Sequence, residues 1–503
     1  MVGSSNVVRS LVSLLWAASP VISGALPVHW AGFERQETGW PTSIDDSVFN
    51  SSWPSFGEKS QRWNAYMAPS FNQVFLPETE QVLSEGLRYM TSNNISFLAK
   101  SGGHGYSIEL AAAQNVVMIN MEKFNYSRVN ADGTATIGSG ATFLDLIRPL
   151  AAAGRQVTTG SCPCVGATGA MLGGGVGRLQ GLHGLTSDNV RKVRLALWNG
   201  TVIEASEKVN KDLFWAVRGA GQNFGVVIET TFQTYPAVNG GMHYEANLAF
   251  SVDKVKKIID DMNGLVPLPA PLSLILVGSV DPSTLETIVA LNLVYAGPRE
   301  EGRKYTRRFQ NYSLSVEENM YSWDELPIKG AGGITLIKCA KGQNHVMYGL
   351  GTKRLDAPSF VRLWSEFGDF IKANPAANSS TFLVETFAQQ GIKKLPDDYS
   401  AFPHRDGVEH LVEFEIAFDD TSVSKAADAF AKRWRDHFAQ PKISGYKETH
   451  IYQNYAHGDE PLSQLYGREK WRQQRLTAVK NKFDPRGVFS SYHPIPQSLD
   501  AWR

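Results

Sequence analysis

Four glycine-rich stretches punctuate the first half of this chain, each after a strand-like apolar run: SGGHGYS (101–107), GSGATFLDL (138–146), GSCPCVGATGAMLGGGVG (160–177) and RGAGQNFGVV (218–227). Glycine carries no Cβ, so such loops let backbone N–H groups approach a ligand closely. One loop of this kind is usually only a turn. Four of them at strand ends point to a nucleotide pyrophosphate, which needs several convergent N–H donors. None is an early G-x-G-x-x-G with an acidic residue at the distance a nicotinamide-binding unit requires, and no Walker sequence is present, so phosphoryl transfer is disfavoured. Two of the stretches also carry a reactive side chain, His104 in one and Cys162 in the other.

With 503 residues the chain is long for a single core, and two or three domains are expected. The 49 basic and 49 acidic residues cancel and form no long Lys/Arg block, which removes the electrostatic argument for nucleic acid. The expected partner is a small molecule, and the expected state a monomer. At the N-terminus Arg9, the apolar LVSLLWAASPVIS and the small residues Ser23, Gly24 and Ala25 read as a signal peptide over 1–25. That run is too short to cross a bilayer, and no later segment has the length of a membrane span. Sequons at Asn50, Asn94, Asn125, Asn199, Asn311 and Asn378 agree with export, and the expected location is the secretory lumen or outside the cell, with N-glycosylation. Three cysteines make no disulfide framework: Cys162 and Cys164 are too close for an easy bridge and Cys339 is far along the chain. Unpaired cysteines in an exported protein are expected to be buried or otherwise employed. A C-x-C metal site lacks further soft ligands nearby.

The expected fold class is α+β. PETEQVLSEGLRYMTSNN (77–94) begins with Pro and puts Val82, Leu83, Leu87 and Met90 on one helical face. ISFLAK, VVMINM and TATIGSG read as strands, and TFLDLIRPLAAAG as a helix. From about 240 to 450 four amphipathic helices alternate with strand-like runs: LSLILVGSV, TIVALNLVYAG, STFLVETFAQQ and HLVEFEIAF. Adjacent strands with separate helices predict one antiparallel sheet covered by helices.

SGGHGYS, G-x-C-x-x-V-G, GGGVGRLQGLHGLTSDNV and DLFWAVRGAGQNFGVV together resemble flavoproteins of the vanillyl-alcohol oxidase fold. FPHRDG (402–407), YQNYAHGDE, LYGREKW and LTAVKNKFDPRGVF are similar to the berberine bridge enzyme-like branch. The resemblance implies a two-part FAD-binding domain over 26–238, a substrate-binding domain over 239–450 and a C-terminal segment, 451–503, packing back on the FAD domain. It implies covalent FAD, joined through His104 and, where attachment is at two points, also through Cys162. Lys100, Ser101, Gly102, Gly103 and Gly105 of the first loop map onto the cofactor site. So do Val165, Gly166, Gly169, Gly174, Gly175 and Gly177 of the third stretch, Asp188 after it, and Asn223, Gly225, Val226 and Val227 of the fourth. Val165 stands where a small residue goes with access of O2 to the reduced flavin, which implies O2 as electron acceptor. Cys164 stands at a variable position and is expected to be inert.

For the chemical step the resemblance offers Tyr455 as base, with Tyr452 and Asn454 as its supports and as cofactor contacts. An unassisted phenol ionises too high to serve near neutrality, so such a neighbour is required. Glu413 and Glu415 share one side of a strand and are the other candidate bases, although alternating carboxylates also suit a solvent-facing side. His404 and Arg405 orient substrate or anchor the strand entry. Three activities stay open: an oxidase of a secondary-metabolite intermediate, an oligosaccharide oxidase acting at the anomeric carbon, and a flavin dehydrogenase with another acceptor. The region 240–450 supplies Trp323 and Trp364 but no clear array of aromatic platforms for a sugar groove, which favours the first.

Overall fold

The computed structural model describes residues 39–502, so the expected signal peptide at 1–25 lies outside the described residues. The first sheet uses β1 (Val48–Asn50), β2 (Phe71–Phe75), β3 (Phe97–Lys100) and β4 (Val116–Asn120) in the order β1-β2-β4-β3, with β2 and β3 parallel to β4. Parallel neighbours need a crossover, and the helix Glu80–Ser92 supplies it. Thr79 Oγ1 caps that helix by accepting from Val82 N, and Leu83, Leu87 and Met90 are buried against the sheet while Val82 is only partly so. Gly86 lets it sit down closely, since a Cβ there would fall 2.3 Å from the Phe75 ring.

Seven further strands follow: β5 (Ser127–Val129), β6 (Thr134–Gly138), β7 (Arg155–Gln156), β8 (Val190–Ala196), β9 (Val202–Ser206), β10 (Val226–Gln233) and β11 (Tyr235–Pro236). Five form an antiparallel sheet in the order β5-β6-β10-β8-β9, and β7 pairs with β11. The helix Phe143–Ala152 opens with a capping box, Thr142 and Asp145 each satisfying the other's backbone N–H.

The third sheet is larger. β12 (Met242–Phe250), β13 (Leu272–Val280), β14 (Thr287–Tyr295), β15 (Ser315–Ser322), β16 (Asn344–Thr352), β17 (Thr381–Phe387) and β18 (His410–Phe418) run antiparallel in the order β15-β12-β14-β13-β17-β18-β16. One face is covered by helices, with Trp364 and Phe367 of Ala357–Ala373 both edge-on to Phe382 of β17. The opposite face therefore takes the alternate positions, Leu383 and Glu385 on β17 and Leu411, Glu413 and Glu415 on β18. Every residue of β18 is buried, so the solvent-facing reading of Glu413 and Glu415 is wrong: their face closes over the rest of the molecule.

The cysteine expectation also needs correction. Cys164 and Cys339 form a disulfide across 175 residues, and Cys162 is the free one. The turn at 161–165 and the segment after the short helix Ile334–Ile337 meet in space, which no sequence spacing reveals. Because its sulfur is bridged, Cys164 is structural.

Candidate active site

Two glycine loops touch backbone to backbone. A Cβ on Gly102 would fall 2.4 Å from Gly166 N, and one on Gly166 would fall 2.4 Å from Ser101 Oγ. Gly103 has φ +81, a conformation that glycine adopts without cost. Ser101 Oγ donates to Ser139 O (2.6 Å), tying the first loop to the GSG turn after β6. Between these loops, the start of β10 and the third sheet lies a cavity of about 480 Å³.

Most of the expected cofactor residues line it: Lys100, Ser101, Gly102, Gly103, His104, Gly105, Cys162, Val165, Gly166, Gly169, Gly175, Gly225, Val226, Val227, Tyr452 and Asn454. Four do not. Gly174 and Gly177 are required by packing, because a Cβ would meet the Phe402 ring at 2.7 Å and Thr159 O at 1.9 Å. Asp188 accepts two hydrogen bonds from Arg405 (2.5 and 3.1 Å) in a pair whose side chains are both only 2% exposed. Asn223 anchors the C-terminal segment, its Oδ1 accepting from Ile495 N and its carbonyl from Lys480 Nζ. His404 meets Ile451 O (2.9 Å) and, like Arg405, serves the strand entry instead of the cavity.

His104 stacks on Trp63, which stacks in turn on His345. Burial, with the nearby Lys341 and Arg62 charges, pushes the His104 imidazole down to about 4, so it is neutral with a free lone pair near pH 7. Cys162 is protonated there too, because burial pushes its thiol up to about 11. Its sulfur lies 3.4 Å from Cys164 Sγ.

Arg62 and Lys100 also line the cavity. Arg62 donates to Gly105 O (2.9 Å), and its Nε has no hydrogen-bond partner among the described residues. Lys100 donates to Lys59 O (2.6 Å), and burial lowers it to about 8. Among the described residues neither has a carboxylate within 4.0 Å. Two buried cations with no carboxylate in contact, beside loops built for close backbone approach, fit the diphosphate of FAD.

The third sheet supplies the other wall. Its register sets Asn292, Ile275, Glu385 and Leu411 in one cross-strand row, Val277, Leu383 and Glu413 in the next, and Thr381, Glu415 and Met347 in a third. Gly349 opposes Glu413, and a Cβ there would fall 2.8 Å from Tyr455 Cβ, so the glycine seats Tyr455 under the sheet. Tyr455 Oη donates to Glu385 Oε2 (3.0 Å). The sequence reading missed Glu385, whose one signal was a lone carboxylate inside the apolar run STFLVETFAQQ.

Tyr452 and Asn454 do not support Tyr455 as expected. Tyr452 Oη accepts from Gly175 N, Val176 N and Asn454 Nδ2, and so fastens the glycine run. Tyr455 itself is pushed well above the usual phenol range by burial and by the Glu385 and Glu413 charges. Burial raises Glu385, while the Tyr455 hydroxyl and the Arg178 charge oppose the rise. Glu413 accepts from Tyr106 Oη (2.8 Å) and is pushed up to about 8 by burial and by Glu385. Glu415 behaves oppositely. Burial disfavours its charge, but Lys338 (2.8 Å) and His345 (2.9 Å) hold its carboxyl well below the usual range. Thr381 donates to its other oxygen (2.9 Å).

The FAD binding domain family model matches residues 71–206, and the Berberine and berberine like model matches 451–496. The chain is 33% identical over 508 residues to the FAD-linked oxidoreductase OXR1 of Pyricularia oryzae, covering 96% of this chain and 98% of that one. Physcomitrella patens BBE-like 1 superposes with a TM-score of 0.76 at 22% identity, over 90% of this chain and 97% of the other. Glucooligosaccharide oxidase from Acremonium strictum, whose FAD is described as 6-S-cysteinyl, 8α-N1-histidyl, gives 0.75 at 17% over 90% and 97%. A vanillyl-alcohol oxidase-type fold, both family segments and an end-to-end relative thus agree, and the chain belongs to the berberine bridge enzyme-like family of FAD-linked oxidoreductases.

Proposed function

We propose that the protein oxidises a small organic molecule, a secondary-metabolite intermediate with a largely apolar body, and that O2 takes the electrons. The Tyr455–Glu385 hydrogen bond inside the cavity carries this reading. Bound FAD supplies the two-electron acceptor, reoxidised by O2 to give H2O2. The protein's own part is the proton. A substrate proton passed to Tyr455 Oη releases the tyrosine proton to Glu385 Oε2, so a phenolate that burial disfavours need not persist. Glu413 keeps its proton near neutrality and offers a hydrogen-bond donor beside that path. Glu415, paired with Lys338, holds the segment 334–338 over the cavity and is not a base in this scheme.

Ile275, Val277, Leu383, Met347 and Ile334 face the cavity and suit an apolar substrate body. Trp364 is fully buried in the helix layer and Trp323 is also buried, and neither lines the main cavity, so the aromatic platforms an oligosaccharide site needs are not supplied by them. Val165 lines the cavity with a small side chain, which supports O2 access. His104 and Cys162 are the proposed attachment points, supported by a neutral imidazole and a free thiol on the same cavity wall. Export is proposed too. The disulfide suits an oxidising compartment, and Asn94, Asn125, Asn199 and Asn311 are exposed while Asn50 and Asn378 are partly so.

Acid precipitation tests the attachment. Flavin colour in the pellet, lost in His104→Ala combined with Cys162→Ala, is expected, and flavin released wholly to the supernatant from the wild type contradicts it. For the chemistry, Tyr455→Phe and Glu385→Gln are each expected to lower kcat roughly 10²–10⁴-fold with flavin content unchanged. Wild-type turnover by both variants would remove the proton path.

A further inference from the structure

Beside the main cavity, sharing Gly160, Ser161, Arg178, Ala331 and Thr335 with it, lies a lobe of about 30 Å³. A single water-sized atom needs roughly 10–15 Å³ by the same measure, so the lobe has room for two. Its wall combines apolar Leu179, Trp323, Leu326 and Pro327 with polar Ser161, Thr335, His243 and Arg178. Strand β12 turns His243, Glu245 and Asn247 to this side, while Tyr244, Ala246 and Leu248 go to the apolar core. His243 is 1% exposed and its Nε2 makes no hydrogen bond among the described residues, nor does Ser161 Oγ. Burial, with the Arg178 charge, lowers the His243 imidazole to about 4 and keeps it neutral.

Arg178 is the one charged residue in the lobe wall. Its guanidinium donates to two neutral oxygens, Ser273 Oγ (3.2 Å) and Asn292 Oδ1 (2.6 Å), and its Nε donates to none among the described residues. No carboxylate of the described residues lies within 4.0 Å of it. Glu245 feels its charge, yet is saturated by others: Asn292 Nδ2 (2.7 Å), Asn247 Nδ2 (3.2 Å) and Ala331 N (2.6 Å). Arg178 is half-buried, and a guanidinium that shows unused N–H groups to a cavity is suited to a forked anion.

We propose that this lobe is a subsite for a carboxylate on the substrate, received by Arg178 with Ser161 Oγ and His243 Nε2 as further donors. The substrate class is then a small organic acid whose acid end sits against the β12 wall while the bond to be oxidised lies at Tyr455 and Glu385. This rests on the reading of the main cavity as the FAD and substrate chamber.

Benzoate and its neutral isostere benzamide are titrated into the FAD-loaded enzyme, followed by calorimetry and by the flavin difference spectrum. Benzoate is expected to bind at least tenfold more tightly than benzamide. Arg178→Gln is expected to cost benzoate at least tenfold and to leave benzamide unchanged, with Arg178→Lys recovering part of the loss. Should Arg178→Gln fail to fold, Ser161→Ala is expected to weaken benzoate roughly threefold or more, and benzamide less. Benzoate that binds no better than benzamide, or not at all, overturns the subsite, as does an Arg178→Gln enzyme with unchanged preference. Protein that carries no flavin would instead overturn the redox reading, and calorimetry would still report on the lobe.

Discussion

Replacing Gly166 by alanine puts a methyl group 2.4 Å from Ser101 Oγ and 2.5 Å from Gly102 N. The backbone at Gly166 (φ −61, ψ 117) is open to any residue, so the cost comes from close approach and not from conformation. Ordinary contact begins near 3.4 Å, so the loops would have to part by about 1 Å. One neighbour is backbone and cannot rotate away. Overpacking of this kind costs about 1–3 kcal/mol, and the upper half of that range is expected here. For a chain of this length that lowers the unfolding midpoint by only about 2–3 °C, so the sharper readout is FAD retained per protein after gel filtration. Gly57→Ala is the control, since nothing lies within 4 Å of the added atom and the site is helical; it should gain up to about 1 kcal/mol. A Gly166→Ala protein with the wild-type midpoint and full FAD content would refute the claim that loop contact shapes the cofactor cradle.

Removing the long bridge with Cys164→Ser and Cys339→Ser frees a 175-residue loop, and chain entropy puts the loss at about 5 kcal/mol by denaturant titration; an unchanged midpoint would count against it. Glu413 titrates near 8 in the folded chain and near 4.5 when unfolded, so between those values the folded state binds more protons. Its contribution to stability therefore falls as pH rises from about 4.5 to 8, and Glu413→Gln should flatten melting temperature against pH in that window. Alkylation under native, non-reducing conditions should label Cys162 and leave Cys339 unlabelled in protein whose Cys162 carries no flavin.

Much of this architecture is written locally. LSLILVGSV and HLVEFEIAF read directly as β13 and β18, because β-branched and aromatic residues alternate between firm turn signals. MHYEANLAF, SVEENMYS and NHVMYGLGT went unread as β12, β15 and β16: β15 is a half-exposed edge strand whose Glu318 pairs with Arg299 and Arg303, while His243 of β12 faces a cavity and Gly349 of β16 makes room for Tyr455, and local composition announces none of these settings. The same limit explains Glu413 and Glu415, whose shared side was legible while the identity of that side was not. Glu385, Arg178 and the Cys164–Cys339 bridge depend on contacts between segments 70 to 175 residues apart, and hydrophobic periodicity carries no such information. The glycine loops were legible because close backbone approach leaves its mark in residue type itself.

The strict alternation of the third sheet divides labour residue by residue. On β17 and β18, Phe382, Val384, Val412 and Phe414 hold the helix layer, while the residues between them paint the cavity wall. A change at 383, 385 or 413 thus rewrites what the chamber recognises without loosening the helices behind it. Substrate scope and scaffold integrity can drift separately in such a protein, so a panel of variants at the cavity-facing positions should fold as one population while differing widely in what each one accepts.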